Sequence, residues 1–205
     1  MNISFNLNRI KKEIPSNVLL VAVSKTKPSK DILIAYNAGH YHFGENKIQE
    51  LVKKHNELPK EIKWHMIGHL QRNKVKYIAP FVHLIHGADS KKLLEEINKQ
   101  GLKNNKTINC LLQFHIASES TKFGFSIEEI RDIIDSKYHL NWVNINIQGV
   151  MGMATFTNDK NQVKAEFSLL KEYFMELKPI FGENFKTLSM GMSGDYIEAI
   201  SKGSN

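Results

Sequence analysis

Cysteine is nearly absent from this chain of 205 residues. Its only cysteine, Cys110, excludes a disulfide framework and a cysteine-based zinc site, and it reads as a small buried hydrophobe. No apolar run approaches the roughly 20 residues of a membrane span. The first fifteen residues lack the apolar stretch of a secretory signal. Five prolines and twelve glycines are scattered, with no linker and no low-complexity segment, so residues 1–205 read as a single domain. No G-x-G-x-x-G follows the first apolar run, and there is no G-x-S-x-G elbow. The expectation is a soluble, cytoplasmic protein with no membrane partner. At 41% hydrophobic residues the chain has enough apolar side chains for a packed core and is not intrinsically disordered.

The net charge is +7. Nucleic-acid binders carry such a surplus, concentrated in patches or tails. Here the lysines are dispersed in short pairs such as Lys53-Lys54 and Lys91-Lys92, with no arginine-rich block. The expectation is a solvated basic surface that favours small anions, with no nucleic-acid partner.

What is present is alternation. Seven short apolar runs read as buried parallel strands, at residues 18–23, 40–43, 63–68, 81–87, 108–116, 144–152 and 186–192. Amphipathic patterns separate them; in the longest, Val163, Phe167, Leu170, Phe174 and Leu177 recur at helical spacing. A further helix is expected around residues 3–14. Strand-then-helix units joined by right-handed crossovers give a doubly wound sheet or a barrel. The pattern favours the α/β architecture of a (β/α)8 TIM-type barrel, with the eighth strand missing from this chain. Its open edges would be an aggregation hazard.

In such a barrel the strand C-termini converge on one mouth, where function sits. The residues there are polar: Ser24 to Pro28, Gly44 to Asn46, Gly68 to Asn73, Asp89, Ser118-Glu119 and Ser193. Lys25 follows directly on an apolar strand, which predicts a buried stem and a lowered pKa, and a neutral amine is the form that attacks carbonyls. Lys27 is its rival, but Pro28 is expected to open the next helix and turn Lys27 aside. Ser189 to Asp195 is a run of small residues between a strand and a helix, either a phosphate cradle of backbone N–H groups or a plain turn. The nine histidines suggest metal, but His65 and His69 lie on a strand and its loop, and His83 and His86 have opposite strand parity, so no metal site is expected.

These segments resemble a known family. Val21-Ala22-Val23-Ser24-Lys25-Thr26-Lys27-Pro28 is similar to the opening motif of the pyridoxal-phosphate homeostasis proteins. The likeness continues through His42 to Asn46 with Gln49-Glu50, through Trp64 to Lys74, Ser120 to Gly124, Gln148 to Met151 and Leu188 to Ser193. The resemblance implies a barrel like the N-terminal domain of alanine racemase. It implies pyridoxal 5′-phosphate (PLP) held as a Schiff base on Lys25, with Asn46 beside the ring and Gly191, Met192 and Ser193 holding the phosphate. It implies a carrier and regulator of the PLP pool, without turnover of its own, whose partners include PLP-dependent apoenzymes. Lys122 is a possible second amine. The family continues past Gly203-Ser204 into a strand with an arginine and a Gly-Thr pair, which this chain lacks. That departure leaves two further readings, a copy that no longer binds PLP or a gap covered by a partner chain; monomer and weak homo-oligomer both stay open. A racemase-like enzyme is the alternative, for which 205 residues leave no room for a second catalytic domain.

Overall fold

The computed structural model describes residues 2–119 and 123–205. Seven parallel strands form one sheet: β1 Ala22–Val23, β2 His42–Glu45, β3 Lys63–Met66, β4 Leu84–Ala88, β5 Ile108–Phe114, β6 Ile145–Gly152 and β7 Thr187–Ser189. Their order in the sheet is their order in the chain. A doubly wound sheet would reverse direction at a switch point; this one never does, which settles the choice in favour of the barrel-type curl.

The curl is visible in one contact. His86 of β4 and Ser189 of β7 are three strands apart, roughly 14 Å in a flat sheet at about 4.8 Å per strand. Yet His86 Nδ1 lies 2.9 Å from Ser189 Oγ. β1 and β7 are the sheet's edges, and among the described residues no strand pairs with the outer side of either.

Among the described residues eight α-helices alternate with the strands: α1 Ile3–Glu13, α2 Ser29–Asn37, α3 Ile48–Glu57, α4 Val75–Ile78, α5 Lys91–Lys103, α6 Ile127–Asp135, α7 Lys160–Phe181 and α8 Tyr196–Ser201. Among the described helices none is long and apolar enough to cross a membrane. The α6 start is fixed by a capping box in which Ser126 and Glu129 satisfy each other's backbone N–H groups. Asp159 caps α7 in a similar way, accepting from the N–H groups of Asn161 and Gln162.

Strand alternation sorts side chains between two environments. Phe43, Trp64, Met66, Ile85, Leu112 and Phe114 point outward and join Leu51, Phe167 and Leu170 of the helices in the main core. Each such side chain contributes about 1.5–3 kcal/mol when fully buried. Cys110 is in this core, where burial pushes its thiol up to about 12. The inner face is divided. Leu84, Leu111 and Met151 make a small separate apolar cluster, while His42, His65 and His86 give the β2–β4 side a polar interior.

β1 is shorter than the apolar run 18–23 predicts. Only β2 flanks it, so pairing covers just Ala22 and Val23, and Val23 is half exposed. β6 holds a bulge: Cys110 faces Ile147 but Leu112 faces Val150. Gly149 makes it possible, with φ +151 and no room for a side chain, since a Cβ would lie 1.8 Å from the Thr187 carbonyl oxygen.

Candidate cofactor site at the mouth of the curled sheet

At the end of β1 the chain turns sharply through Ser24 to Pro28, and buried charges hold the turn. Lys54 of α3 donates to the Ser24 carbonyl at 2.8 Å, to Glu45 Oε1 at 2.7 Å and to Glu50 Oε2 at 3.2 Å. Ser24 Oγ donates to Glu45 Oε1 at 2.6 Å. The Thr26 N–H donates to Glu50 Oε2 at 2.9 Å, and this bond, with Lys54 close by, holds the Glu50 carboxyl below its ordinary range. Thr26 sits at φ +64, in the left-handed region that non-glycine residues avoid, and its hydrogen bond to Glu50 offsets that cost.

Lys25 projects from this pinned turn into solvent. The burial expected of its stem is not found, because among the described residues no strand lies on the outer side of β1 to cover it. Lys27 lines a pocket with Pro28, Glu50, Lys53 and Lys54. Pro28 is the N-cap of α2, as its position suggested.

Asn46 follows β2 and is half buried. Among the described residues its amide makes no hydrogen bond. Its backbone rests on Gly68, where a Cβ would come within 2.5 Å of the Asn46 carbonyl oxygen. A Cβ on Gly87 would in turn lie 2.9 Å from the Gly68 carbonyl oxygen, so these two glycines let the ends of β2, β3 and β4 pack closely. Beyond β3, His69 Nδ1 lies 2.8 Å from Asp89 Oδ2, and its ring stacks on Phe123 at 4.0 Å. On the far side the loops after β5 and β6 are tied together: the Ser118 N–H donates to Thr155 Oγ1, and Thr155 in turn donates to Glu166 of α7. Lys122 lies outside the described residues.

The loop after β7 packs tightly against α8. Gly191 adopts φ +92, and a Cβ there would strike Ala199 at 2.6 Å; only glycine lets the loop lie so close to α8. The N–H groups of Ser193 and Gly194 have no protein acceptor among the described residues. The Met192 N–H donates to the Asp195 carboxylate. That carboxylate is an internal anion on one of the backbone donors expected to hold phosphate, so Met192 contributes its place in the loop and not a free N–H.

Sequence reasoning missed two features. The Glu45–Lys54–Glu50 network joins residues on β2 and α3, and its charges looked like solvated surface. The short turn of helix at Arg72–Lys74 and α4 between β3 and β4 has too few residues to show a period.

Comparison with known proteins decides the family. The alanine racemase, N-terminal domain family matches residues 1–205. A pyridoxal phosphate homeostasis protein of Aquifex aeolicus is 37% identical, the match covering 90% of this chain and 80% of that protein. One from Haemophilus influenzae is 34% identical, covering 100% and 91%. The chain belongs to the pyridoxal phosphate homeostasis protein family.

Solved structures agree. PipY of Synechococcus elongatus PCC7942 without PLP has a TM-score of 0.92 at 30% identity, covering 99% of this chain and 95% of that one. The same protein with PLP bound gives 0.88 at 29%, with the same coverage. Alanine racemase from Bartonella henselae shares only the fold, with a TM-score of 0.70 at 15% identity, and this family member spans 59% of its length.

Proposed function

We propose that the chain binds PLP at the mouth and holds it through the Lys25 amine, regulating the free pool of the cofactor without turnover of its own. The observation that supports this most directly is the pinned Ser24–Thr26 turn, which presents an exposed lysine at the end of β1. PipY, its structural neighbour, has been solved with PLP bound.

The residues present fit the cofactor. Gly191 lets the loop lie close against α8, and one N–H of that loop already holds a carboxylate. The N–H groups of Ser193 and Gly194 would hold the phosphate, with the Gly191–Met192 backbone shaping the loop. Asn46, with its amide unengaged among the described residues, would border the ring. When bound, PLP supplies an electron-withdrawing ring bearing an aldehyde; the chain supplies the amine, the anion donors and a mouth open to exchange. The exposure of Lys25 suits a carrier that releases its cargo, and PLP-dependent apoenzymes are the recipients this role implies.

The test is direct. The purified full chain is mixed with PLP, the visible absorbance is recorded, and the sample is reduced with borohydride and mapped by peptide mass. Label confined to Lys25 supports the reading. Folded protein with no label, or label spread over many lysines, would overturn it. Label on Lys122 would move the amine to the loop after β5.

A further inference from the structure

On the inner face of the sheet His42, His65 and His86 lie in hydrogen-bonding sequence, with the His83 ring beside the first two. His42 opens β2, His65 lies in β3 and His83 immediately precedes β4. Their rings are mutually 5.2–5.5 Å apart, centroid to centroid. One ring nitrogen from each lies within 4.8 Å of the other two, and His42 Nδ1 is 3.0 Å from His65 Nε2. A tetrahedral centre with metal–nitrogen bonds of 2.0–2.1 Å spaces its ligands about 3.4 Å apart. The trio needs only small rotations of His42 and His83, both half buried at segment ends.

We propose that His42, His65 and His83 form a three-histidine site for a borderline divalent transition cation of the zinc class, separate from the cofactor mouth.

An outer partner supports it. His65 Nδ1 lies 2.8 Å from His86 Nε2, and His86 Nδ1 lies 2.9 Å from Ser189 Oγ. With each histidine donating toward Ser189, His65 keeps the lone pair of Nε2 directed at the trio. A ligand imidazole anchored through its other nitrogen is the usual support of a metal site. Coordination then requires His42 to carry its proton on Nε2, a tautomer change that releases no proton. Burial also keeps these imidazoles neutral at pH 7: His83 is lowered to about 4, and His42 and His65 are lowered as well. No carboxylate belongs to the trio, so the donor set suits zinc, copper, nickel or cobalt and not magnesium or calcium. Three protein ligands leave a fourth position open to water. Lys63 and Lys106 lie near enough to oppose a cation, but Lys63 is exposed and Lys106 is turned to the carbonyls of Pro80 and Val82.

The test uses the full chain, stripped with chelator and without PLP, so that its outcome is independent of the cofactor reading. Cobalt(II) is titrated at pH 7.5 while the visible ligand-field bands are followed, and zinc is then added in competition. The expected result is saturation at one equivalent with bands of a four- or five-coordinate centre. The variants His42→Asn and His83→Asn should each weaken binding by at least the ~10–100-fold seen for outer-shell changes, with far-UV circular dichroism unchanged. His69→Asn, at the other end of β3, should bind as the parent does. Absence of saturable binding, binding retained by both variants, or loss with His69→Asn would each overturn the site.

Discussion

Lys54 of α3 and Glu45 of β2 form a 2.7 Å ion pair in which both side chains are almost entirely withdrawn from water. Charges are taken out of solvent only where several groups share them, and here Lys54 also holds Ser24 and Glu50. Its replacement by methionine leaves the buried Glu45 carboxylate with Ser24 Oγ alone, its Oε2 being unpartnered among the described residues. Breaking one side of such a pair costs about 3–5 kcal/mol. Lys54→Met should therefore lower the urea midpoint by that equivalent, and it should also reduce labelling at Lys25, because the turn loses its anchor. A variant with parental stability would show the pair to be energetically idle.

Gly149→Ala probes the bulge in β6. A Cβ there meets the Thr187 carbonyl, adding overpacking of about 1–3 kcal/mol to about 1–3 kcal/mol for the backbone conformation. Denaturant unfolding should show destabilisation of about 3 kcal/mol or more. An unchanged midpoint would mean that β6 can pair with β7 without the bulge.

Gly191→Ala should act on the cofactor. The substitution leaves the sheet alone but pushes the loop off Ala199. PLP affinity should fall about tenfold, the equivalent of 1.4 kcal/mol, in fluorescence or absorbance titration. Equal affinity would place the phosphate elsewhere.

Acid should loosen the interior. Burial lowers His40, His83 and His86 to about 4 from an ordinary 6.5. Between those values the unfolded chain binds more protons than the folded one, so stability is full above about pH 6.5 and is lost as pH falls toward 4. The fully buried His86 alone accounts for on the order of 3 kcal/mol across that window. Urea midpoints at pH 7.5, 6 and 5 should decline steadily, before most carboxylates titrate. A level profile from 7.5 to 5 would contradict the buried state of this cluster.

The strand–helix alternation was legible because each run of branched residues sits between polar segments, and all seven strands fall where the pattern places them. Their lengths were less legible: β1 depends on how many neighbours it has, and residue pattern says nothing of neighbours. At the mouth, the small residues from Ser189 to Asp195 signalled a tight strand-to-helix loop, which Gly191 makes possible. The engagement of the Met192 N–H by Asp195 depends on a fold-back of three residues that composition does not show. The histidine trio was hidden for a different reason. Its members lie 23 and 18 positions apart, and parallel register alone brings them together. The parity argument that separated His83 from His86 holds only from Leu84 onward, where the regular strand begins.

Because every strand pairs only with its predecessor and successor, the sheet can be assembled in the order in which a ribosome delivers it. Each new strand docks on an edge already in place, and each closure spans a single crossover, at a modest entropic cost. Among the described residues, two side-chain hydrogen bonds reach much further: His86 with Ser189, and Glu13 with the Tyr196 hydroxyl across 183 residues. They can form only after β7 and α8 have been made. The curvature of the finished sheet is therefore locked by its last-synthesised part, and a nascent chain paused before Ser189 has its strands in register but no latch across the interior.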